Sequence, residues 1–383
     1  MIPAPATLAL LGGGQLGRYF VRAAQELGYQ VMVLDPDSNS PAGRIADQHL
    51  CTAYDDEDAL KALAADCAAA TTEFENVPAE TLARLAHYMP VRPSAQVVSV
   101  AQDRISEKTF LRENGFPVAP FAIIRQEADL NTVDPTLFPA ILKVSRLGYD
   151  GQGQTGVADQ NEAIAEFRKF QGEPCVLEKR MPLDVEVSVV MARNASGEIA
   201  TYPVAENRHR HGILDISIAP GTLTEALRQH AETVATALAD QLAYTGVLAV
   251  EFFICGETLL VNEIAPRPHN SGHYTLDACV TDQFEQQVRT LCDLPLASPA
   301  QHSHAVMVNV LGDLWFRQPS SAPCEPDWRA LLRVPNLKLH LYGKQHARAG
   351  RKMGHFTVVD SDADAALKTA LAARQAIGIT ASR

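Results

Sequence analysis

Residues 7–17 read Thr-Leu-Ala-Leu-Leu-Gly-Gly-Gly-Gln-Leu-Gly, an apolar run that ends in a glycine-rich loop. The run predicts a buried strand over Thr7–Leu11, and the pattern after the loop predicts a helix through Leu27. A second apolar run, Val31–Leu34, is closed by Asp35. Strand, helix and strand in this order indicate a β-α-β unit, and therefore a parallel sheet covered by helices.

The glycine loop has the spacing Gly12-x-Gly14-x-x-Gly17, and Asp35 follows about 18 residues later. This is the dinucleotide-binding fingerprint, in which backbone N–H groups at a helix N-terminus receive phosphate. The same glycines suit any tight strand-to-helix turn. A nicotinamide or flavin site, a mononucleotide phosphate site and a loop without ligand therefore all remain open.

The chain has 383 residues, more than one hydrophobic core usually organises. We expect an N-terminal Rossmann-like domain over 1–103, a central domain over 104–300 and a C-terminal domain over 301–383. A small mobile lid is expected at about 116–184, where predicted strands and one helix surround a second glycine-rich loop.

The composition excludes several classes of protein. A net charge of -12 argues against a surface that binds nucleic acid or anionic membrane nonspecifically. No apolar stretch approaches the roughly 20 residues that span a bilayer, and the first residues lack the pattern of an export signal. Seven cysteines without a C-x-x-C pair suit reduced thiols. We therefore expect a cytoplasmic protein.

Two glutamates, Glu251 and Glu263, flank Cys255–Thr258 in a predicted hairpin over Val247–Ile264. Pairing about a short loop near Glu257 sets the two carboxylates opposite each other, where they repel unless a cation lies between them. Carboxylates favour Mg²⁺ bound together with phosphate oxygens. A solvated hairpin with incidental acids is the open alternative.

The loop Gly148–Gln154 is unusually rich in glycine, and its N–H groups are placed to close over nucleotide phosphates. Lys143, just before it, can reach a phosphate as a point charge. The strand end Glu178–Met181 suits an adenine, and Glu186 suits ribose hydroxyls. A flexible surface loop and ordinary surface acids are the alternatives.

Polar residues also cluster around two later segments. Asn207 and His209 precede a predicted strand, and a dense polar run from Arg267 to His273 follows Glu263. The plain interpretation of that run is a hydrogen-bonded turn around its prolines. Next to a metal ligand, however, Arg267 can hold a small anion.

Together these segments resemble the N5-carboxyaminoimidazole ribonucleotide synthetase family, a branch of the ATP-grasp superfamily. The similar segments occur in the family's order and cover nearly the whole chain: Gly12–Arg18, Thr72–Pro78, Gly148–Gln154, Asn207–Leu214, Glu251–Phe253, Asn262–Arg267, His269–His273 and Gly350–His355.

The resemblance implies an α/β (α+β overall) ATP-grasp fold with a C-terminal mixed α/β region, and a homodimer. It implies that ATP is held by Arg104, Lys143, Gly148, Tyr149, Asp150, Gly151, Gln152, Gly153, Gln154, Glu178, Lys179, Arg180, Met181, Glu186, His209, Asn262 and Glu263. Mg²⁺ is expected on Glu251 and Glu263. The aminoimidazole ribonucleotide is expected on Glu73, Tyr149, Asn207, Asn270, Ser271, His273, Lys344 and Arg351, with Lys344 and Arg351 gripping its 5′-phosphate.

The second glycine loop departs from the family pattern at two positions. Leu147 and Gln152 stand where the family commonly has a glycine and a basic residue. We expect a stiffer loop entrance, and we expect that one phosphate interaction of the family is either absent or supplied by Arg146.

The implied reaction is the carboxylation of 5-aminoimidazole ribonucleotide by ATP and bicarbonate, through carboxyphosphate, in purine (IMP) biosynthesis. Arg267 is expected to steer bicarbonate, and Lys143 to neutralise phosphate oxygens. His273 or Asp150 is expected to manage the amine proton, and the sequence leaves that choice open. An ATP-grasp enzyme for another acid or amine, a dinucleotide-dependent oxidoreductase and a nucleotide sensor without turnover are the rival functions.

Overall fold

The computed structural model of the chain describes residues 1–146, 148, 153–316 and 322–379. Within these ranges the strands form a four-stranded parallel sheet, a four-stranded antiparallel sheet and a nine-stranded sheet. No helix in the described ranges has the length and apolar character needed to cross a membrane.

The N-terminal sheet is parallel, as its β-α-β opening predicts, and has the order β3-β2-β1-β4. Its strands are β1 (Thr7–Leu11), β2 (Gln30–Leu34), β3 (Gln48–Leu50) and β4 (Ala69–Thr72). Its helices are α1 (Gln15–Glu26), α2 (Glu57–Asp66), α3 (Ala79–Leu85) and α4 (Ala95–Ala101). Helices cover both faces of the sheet, which is why β1 and β2 are apolar almost throughout.

A small antiparallel sheet with the order β5-β8-β6-β7 lies in the region where a lid is expected. The elements of this region are α5 (Arg104–Glu113), β5 (Phe121–Ile124), β6 (Ala140–Val144), β7 (Gln154–Val157), α6 (Gln160–Lys169) and β8 (Cys175–Lys179). The predicted hairpin is confirmed, because Lys143 of β6 pairs with Gln154 of β7. Leu147, Tyr149, Asp150, Gly151 and Gln152 of its connecting loop lie outside the described residues.

The nine-stranded sheet joins the central and C-terminal regions, because β12 pairs with β15. Its strands are β9 (Val185–Arg193), β10 (Ile199–Thr201), β11 (Ala205–Arg210), β12 (Ile213–Ala219), β13 (Gly246–Cys255), β14 (Thr258–Ala265), β15 (His304–Leu311), β16 (Leu337–Leu341) and β17 (Lys352–Asp360). The accompanying helices are α7 (Glu225–Gln241), α8 (Thr275–Ala278), α9 (Gln283–Cys292), α10 (Arg329–Leu332) and α11 (Ala363–Ala376).

The hairpin of β13 and β14 sets the two glutamates opposite each other, as the sequence predicts. Cys255 pairs with Thr258 around a two-residue turn whose Gly256 has a φ of 63°, a value that favours glycine. Between Glu251 and Phe252 the register shifts, so that Glu251 lies opposite Glu263 and Asn262 becomes the extra residue of a bulge.

Helix α9 fixes the N-terminal domain against the large sheet. Its Phe284 and Val288 enter the same apolar core as α1 and β1. Gln287 of α9 donates from Nε2 to Thr71 Oγ1 of β4 at 3.1 Å. This packing brings the glycine loop of the N-terminal domain to the edge of the cleft described below.

Candidate active site

A cleft of about 1140 Å³ lies where the small antiparallel sheet, the large sheet, the N-terminal glycine loop and the start of β17 meet. Most of the residues predicted for the site line it. Those in the lining are Glu73, Arg104, Lys143, Gln154, Arg180, Glu186, His209, Glu251, Asn262, Glu263, Arg267, Asn270, Lys344 and Arg351.

The carboxylates of Glu251 and Glu263 face each other across the hairpin ladder. Burial, with the charge of Glu263 added, raises the pKa of Glu251 from 4.5 to about 7. The polar contacts of the pair are long. Asn262 Nδ2 and His269 Nε2 each lie 3.5 Å from Glu251, and Arg104 lies 3.4 Å from Glu263. Two crowded, weakly partnered acids are the donor set that a divalent cation stabilises.

Lys143 enters the cleft from β6 and is held from behind by Glu178 of β8. Its Nζ lies 2.8 Å from Oε1 of Glu178, and Nζ of Lys108 on α5 lies 2.6 Å from Oε2. Burial acts to raise the pKa of Glu178, but the charges of Lys143 and Lys108 outweigh it and lower that pKa to about 2. Glu178 is therefore ionised, and it lies behind the wall of the cleft.

Neighbouring strands of the large sheet supply a His–Glu pair to the cleft. His209 on β11 places Nδ1 3.0 Å from Glu186 Oε2 on β9. Burial acts to lower the pKa of His209, but the hydrogen bond to Glu186 together with the charges of Glu251 and Glu186 outweighs it and raises the pKa. His209 and Asn207 were expected before a strand; the structure places both on β11, whose polar sequence reflects its position beside the cleft.

Arg267, directly after β14, forms an ion pair through Nε with Glu75. Its Nη1 donates to the carbonyl of Pro268 at 3.1 Å. Burial acts to raise the pKa of Glu75, but the charge and hydrogen bond of Arg267, with smaller contributions from the backbone and Lys352, outweigh it and lower that pKa. Arg104 donates from Nη2 to the Gly148 carbonyl at 3.0 Å and so ties the second glycine loop to the hairpin.

The first glycine loop binds the protein's own carboxylates. Glu73 accepts from the backbone N–H of Gly14 and, at 2.8 Å, from that of Gly17. Asp35 accepts from Gly13 N at 2.7 Å. The loop donors that a dinucleotide phosphate would use are therefore taken, which argues against the nicotinamide or flavin interpretation.

Part of the cleft lining is rich in basic residues. Lys344, Arg348, Arg351 and Lys352 line it, on β17 and the segment before it. Lys344 Nζ donates to the Lys352 carbonyl at 2.8 Å and lies 5.6 Å from the ring centre of Tyr342. The lining of the cleft therefore combines four cations with the paired acids of the hairpin.

The polar run after Arg267 divides between cleft and interior. His269 and Asn270 line the cleft. Burial and the charge of Arg267 lower the pKa of His269 well below 6.5. His273 instead lies fully buried, with Nδ1 3.3 Å from Gln283 Nε2 and its ring 4.7 Å from that of His355. The structure thus brings His269, and not the expected His273, to the cleft.

Two further residues expected at the ribonucleotide site also lie in the interior. Asn207 Nδ2 donates to Ser188 Oγ at 3.0 Å, and Ser188 Oγ donates to Ser271 Oγ at 2.7 Å. Asn207 and Ser271 are buried and support the wall from behind.

Several residues that were expected to contact the nucleotide lie at or behind the wall of the cleft. Lys179 N is bonded to the Pro120 carbonyl and Arg180 N to the Pro139 carbonyl, each at 2.9 Å. Gly148, Gly153, Glu178, Lys179 and Met181 are absent from the lining in the described part of the chain. Tyr149, Asp150, Gly151 and Gln152 lie outside the described residues, so their expected contacts stay predictions.

The sequence pattern predicts no site role for Glu75, Lys108 or Lys352, and it includes His269 only as one member of the polar run after Arg267. The acid cluster at 73–75 and the segment 350–355 both stand out in the sequence, and either could have supplied a candidate. Lys108 lies four residues after Arg104, a spacing that places both on one helix face.

Three family models match successive parts of the chain. They are the ribonucleotide synthetase preATP-grasp domain over 6–102, the ATP-grasp domain over 109–284 and the phosphoribosylaminoimidazole carboxylase C-terminal domain over 305–369.

Relatives align over almost the full chain. N5-carboxyaminoimidazole ribonucleotide synthase from Brucella melitensis is 42% identical over 92% of this chain and 96% of its own. A crystal structure of such a synthetase in complex with ADP has a TM-score of 0.89 at 39% identity, covering 98% of this chain and 97% of that one. The synthase from Aspergillus clavatus, solved with ADP and 5-aminoimidazole ribonucleotide, has a TM-score of 0.87 at 30% identity, covering 97% and 99%.

Proposed function

The chain belongs to the N5-carboxyaminoimidazole ribonucleotide synthase family of ATP-grasp proteins, and we propose that it carboxylates 5-aminoimidazole ribonucleotide with ATP and bicarbonate. The products are N5-carboxyaminoimidazole ribonucleotide, ADP and phosphate, as a step in purine (IMP) biosynthesis. The observation that carries this proposal is the lining of one cleft, which brings together the paired acids of the hairpin, Lys143 and four further cations.

ATP lies at the lid end in this proposal. Lys143 meets a phosphate, and Glu186 with His209 meets the ribose. Arg104 holds the second glycine loop over the nucleotide through its bond to Gly148. The remaining nucleotide contacts are proposed at Tyr149, Asp150, Gly151, Gln152, Gly153, Gln154, Lys179, Arg180, Met181, Asn262 and Glu263, whereas Glu178 acts from behind the wall through Lys143.

The opposed carboxylates fit Mg²⁺. The hairpin offers hard oxygen ligands from Glu251 and Glu263, and Asn262 adds an amide oxygen in the bulge between them. Burial of Glu251 and, next, the charge of Glu263 raise the pKa of Glu251, and a cation between the two carboxylates would offset both. A bound Mg²⁺ supplies charge neutralisation to the ATP phosphates.

The ribonucleotide lies against the basic residues of the cleft in this proposal. Lys344 and Arg351 receive its 5′-phosphate as charged donors. Glu73 and Asn270, which also line the cleft, face the imidazole and ribose in this proposal. Asn207, Ser271 and His273 act from the interior, by holding the wall on which Asn270 is mounted.

The reaction has two covalent steps. A bicarbonate oxygen attacks the γ-phosphorus of ATP, and the bond from that phosphorus to the bridging oxygen breaks, which gives carboxyphosphate and ADP. The exocyclic amine then bonds to the carboxyl carbon as phosphate leaves, and the amine loses a proton. Phosphorylation is needed because bicarbonate is a poor electrophile with no good leaving group.

Three residues serve these steps in our proposal. Lys143 neutralises charge that develops on the transferred phosphoryl group. Arg267 orients bicarbonate with Nη2, since Nε and Nη1 are engaged by Glu75 and Pro268. Neutral His269 hydrogen-bonds the one-carbon acid, and Asp150 stays the proposed acceptor of the amine proton.

Closure of the lid over about 116–184 protects carboxyphosphate from water. We also propose that the domains span 1–103, 104–300 and 301–383, and that the protein is cytoplasmic and forms a homodimer.

The test is phosphate release from ATP, measured with bicarbonate, ribonucleotide, both or neither. We expect release only with both substrates. Release with formate or another amine would favour a different ATP-grasp ligase, and ATP binding without release would favour a nucleotide sensor.

A further inference from the structure

A second buried cation lies behind the nucleotide end of the cleft. Lys108 reaches one oxygen of Glu178 at 2.6 Å, while Lys143 reaches the other at 2.8 Å. The side chains of Lys108, Glu178 and Lys143 are 3%, 2% and 8% exposed. Lys143 lines the cleft, whereas Lys108 and Glu178 lie behind it.

The charges of these three groups decide what a phosphate meets. Lys143 paired with Glu178 alone would be an ion pair with no net charge, and Glu178 would repel an incoming anion. Lys108 on the second oxygen gives the three groups one net positive charge. The low pKa of Glu178, where the two lysine charges outweigh burial, means that the carboxylate carries its charge near pH 7.

The position of Lys108 follows from one face of α5. Arg104, Glu107 and Lys108 have the spacing i, i+3 and i+4, so their side chains share that face. Glu107 accepts from Ile264 N of β14 at 2.6 Å, and Lys108 contacts Glu178 of β8. Helix α5 therefore connects the metal-binding hairpin to the lid strand beneath Lys143.

A buried ion triad is a costly way to stabilise a fold, because each charge loses its hydration and apolar residues of similar volume often serve as well. That cost is understandable if the net charge is used by a ligand. The ligand implied by a buried positive charge beside a carboxylate pair is a nucleoside di- or triphosphate.

Resting on the proposed function, we propose that Lys108 is a positioning residue that neutralises Glu178, so that Lys143 presents a full positive charge to the nucleotide phosphates. Lys108 itself does not touch the nucleotide. It acts through Glu178, which it keeps from cancelling the charge of Lys143.

A double-mutant cycle with ADP tests this role. The variants are Lys108→Met, Glu178→Gln and the double variant, compared by calorimetry with the native chain. Lys108→Met leaves no net charge on the triad and should weaken ADP binding by about tenfold or more. The double variant again carries one positive charge, on Lys143, and should bind ADP within about threefold of the native chain.

A matched control is Lys169→Met, which removes an exposed lysine paired with Glu166 on the lid helix. It should leave ADP affinity unchanged. In steady-state assays Lys108→Met should raise the KM for ATP and leave the KM for the ribonucleotide within about twofold, a division that a general loss of structure does not produce.

The outcomes separate cleanly. Additive losses in the double variant, or native ADP affinity in Lys108→Met, would overturn the inference while leaving the proposed function intact. Failure of the native chain to bind ADP would instead refute the proposed function. If Lys108→Met alone does not fold, the double variant decides: near-native ADP affinity supports the inference, and a loss beyond about tenfold overturns it.

Discussion

Replacing Glu251 by Gln should stabilise the ligand-free protein, and increasingly so as the pH rises. Burial and Glu263 raise the pKa of Glu251 from 4.5 to about 7 in the folded chain. The folded state therefore holds this proton more tightly than the unfolded state does. The stabilisation from that proton is complete below about pH 4.5 and is lost as the pH rises through about 7.

The size of the effect follows from the two pKa values. The difference between 4.5 and about 7 corresponds to roughly 3 kcal/mol, at about 1.4 kcal/mol for each pKa unit. This free energy is what an ionised Glu251, desolvated by burial and facing Glu263, costs the protein at neutral pH without a cation. Gln keeps the shape and cannot ionise, so Glu251→Gln removes that cost.

The measurement is urea unfolding of native and variant protein at about pH 5 and about pH 8, without nucleotide or divalent cation. The free energy of unfolding of Glu251→Gln should gain up to about 3 kcal/mol on the native value between the two pH values. Glu257→Gln is the control, because it removes an exposed acid from the turn of the same hairpin. A gain equal to that of the control would refute the claim that the two glutamates repel each other in a buried site.

Further variants test the individual assignments. Glu263→Gln should abolish ATP-dependent turnover without lowering the melting temperature, and normal turnover would contradict the proposed metal site in the hairpin. Lys344→Ala should raise the KM for the ribonucleotide much more than that for ATP; similar increases in both would place Lys344 in the wrong site. His269→Gln should lower kcat by roughly tenfold or more, whereas His273→Gln should chiefly lower the melting temperature, and the reverse pattern would return the catalytic role to His273.

The hairpin shows how far a sequence pattern leads. The positions of Glu251 and Glu263 around a short turn predicted two opposed carboxylates, and the ladder confirms it. With the observed two-residue turn, a regular ladder would pair Glu251 with Asn262. The bulge restores the pairing of Glu251 with Glu263. It depends on the packing of β14, which the local sequence pattern does not indicate.

Other residues depended on tertiary packing. His269 and His273 belong to one polar run, yet only His273 packs against Tyr19 and Phe284, and that choice is made by distant elements. Strand β11 was missed because its exposed polar residues hide the alternation that reveals a strand. Glu73 was expected to bind a ligand, but its bonds to Gly14 and Gly17 require a fold in which β4 ends beside that loop.

The proposed function depends on Glu251 and Glu263 binding one divalent ion at the phosphates of a bound nucleotide. The most direct measurement is a crystal structure with Mn²⁺ and ADP, in which anomalous scattering locates the metal. We expect a peak between the two carboxylates, about 2.1 Å from an oxygen of each, with a phosphate oxygen completing its ligands. A metal bound elsewhere, or carboxylates that turn away from each other around an occupied nucleotide site, would contradict the account.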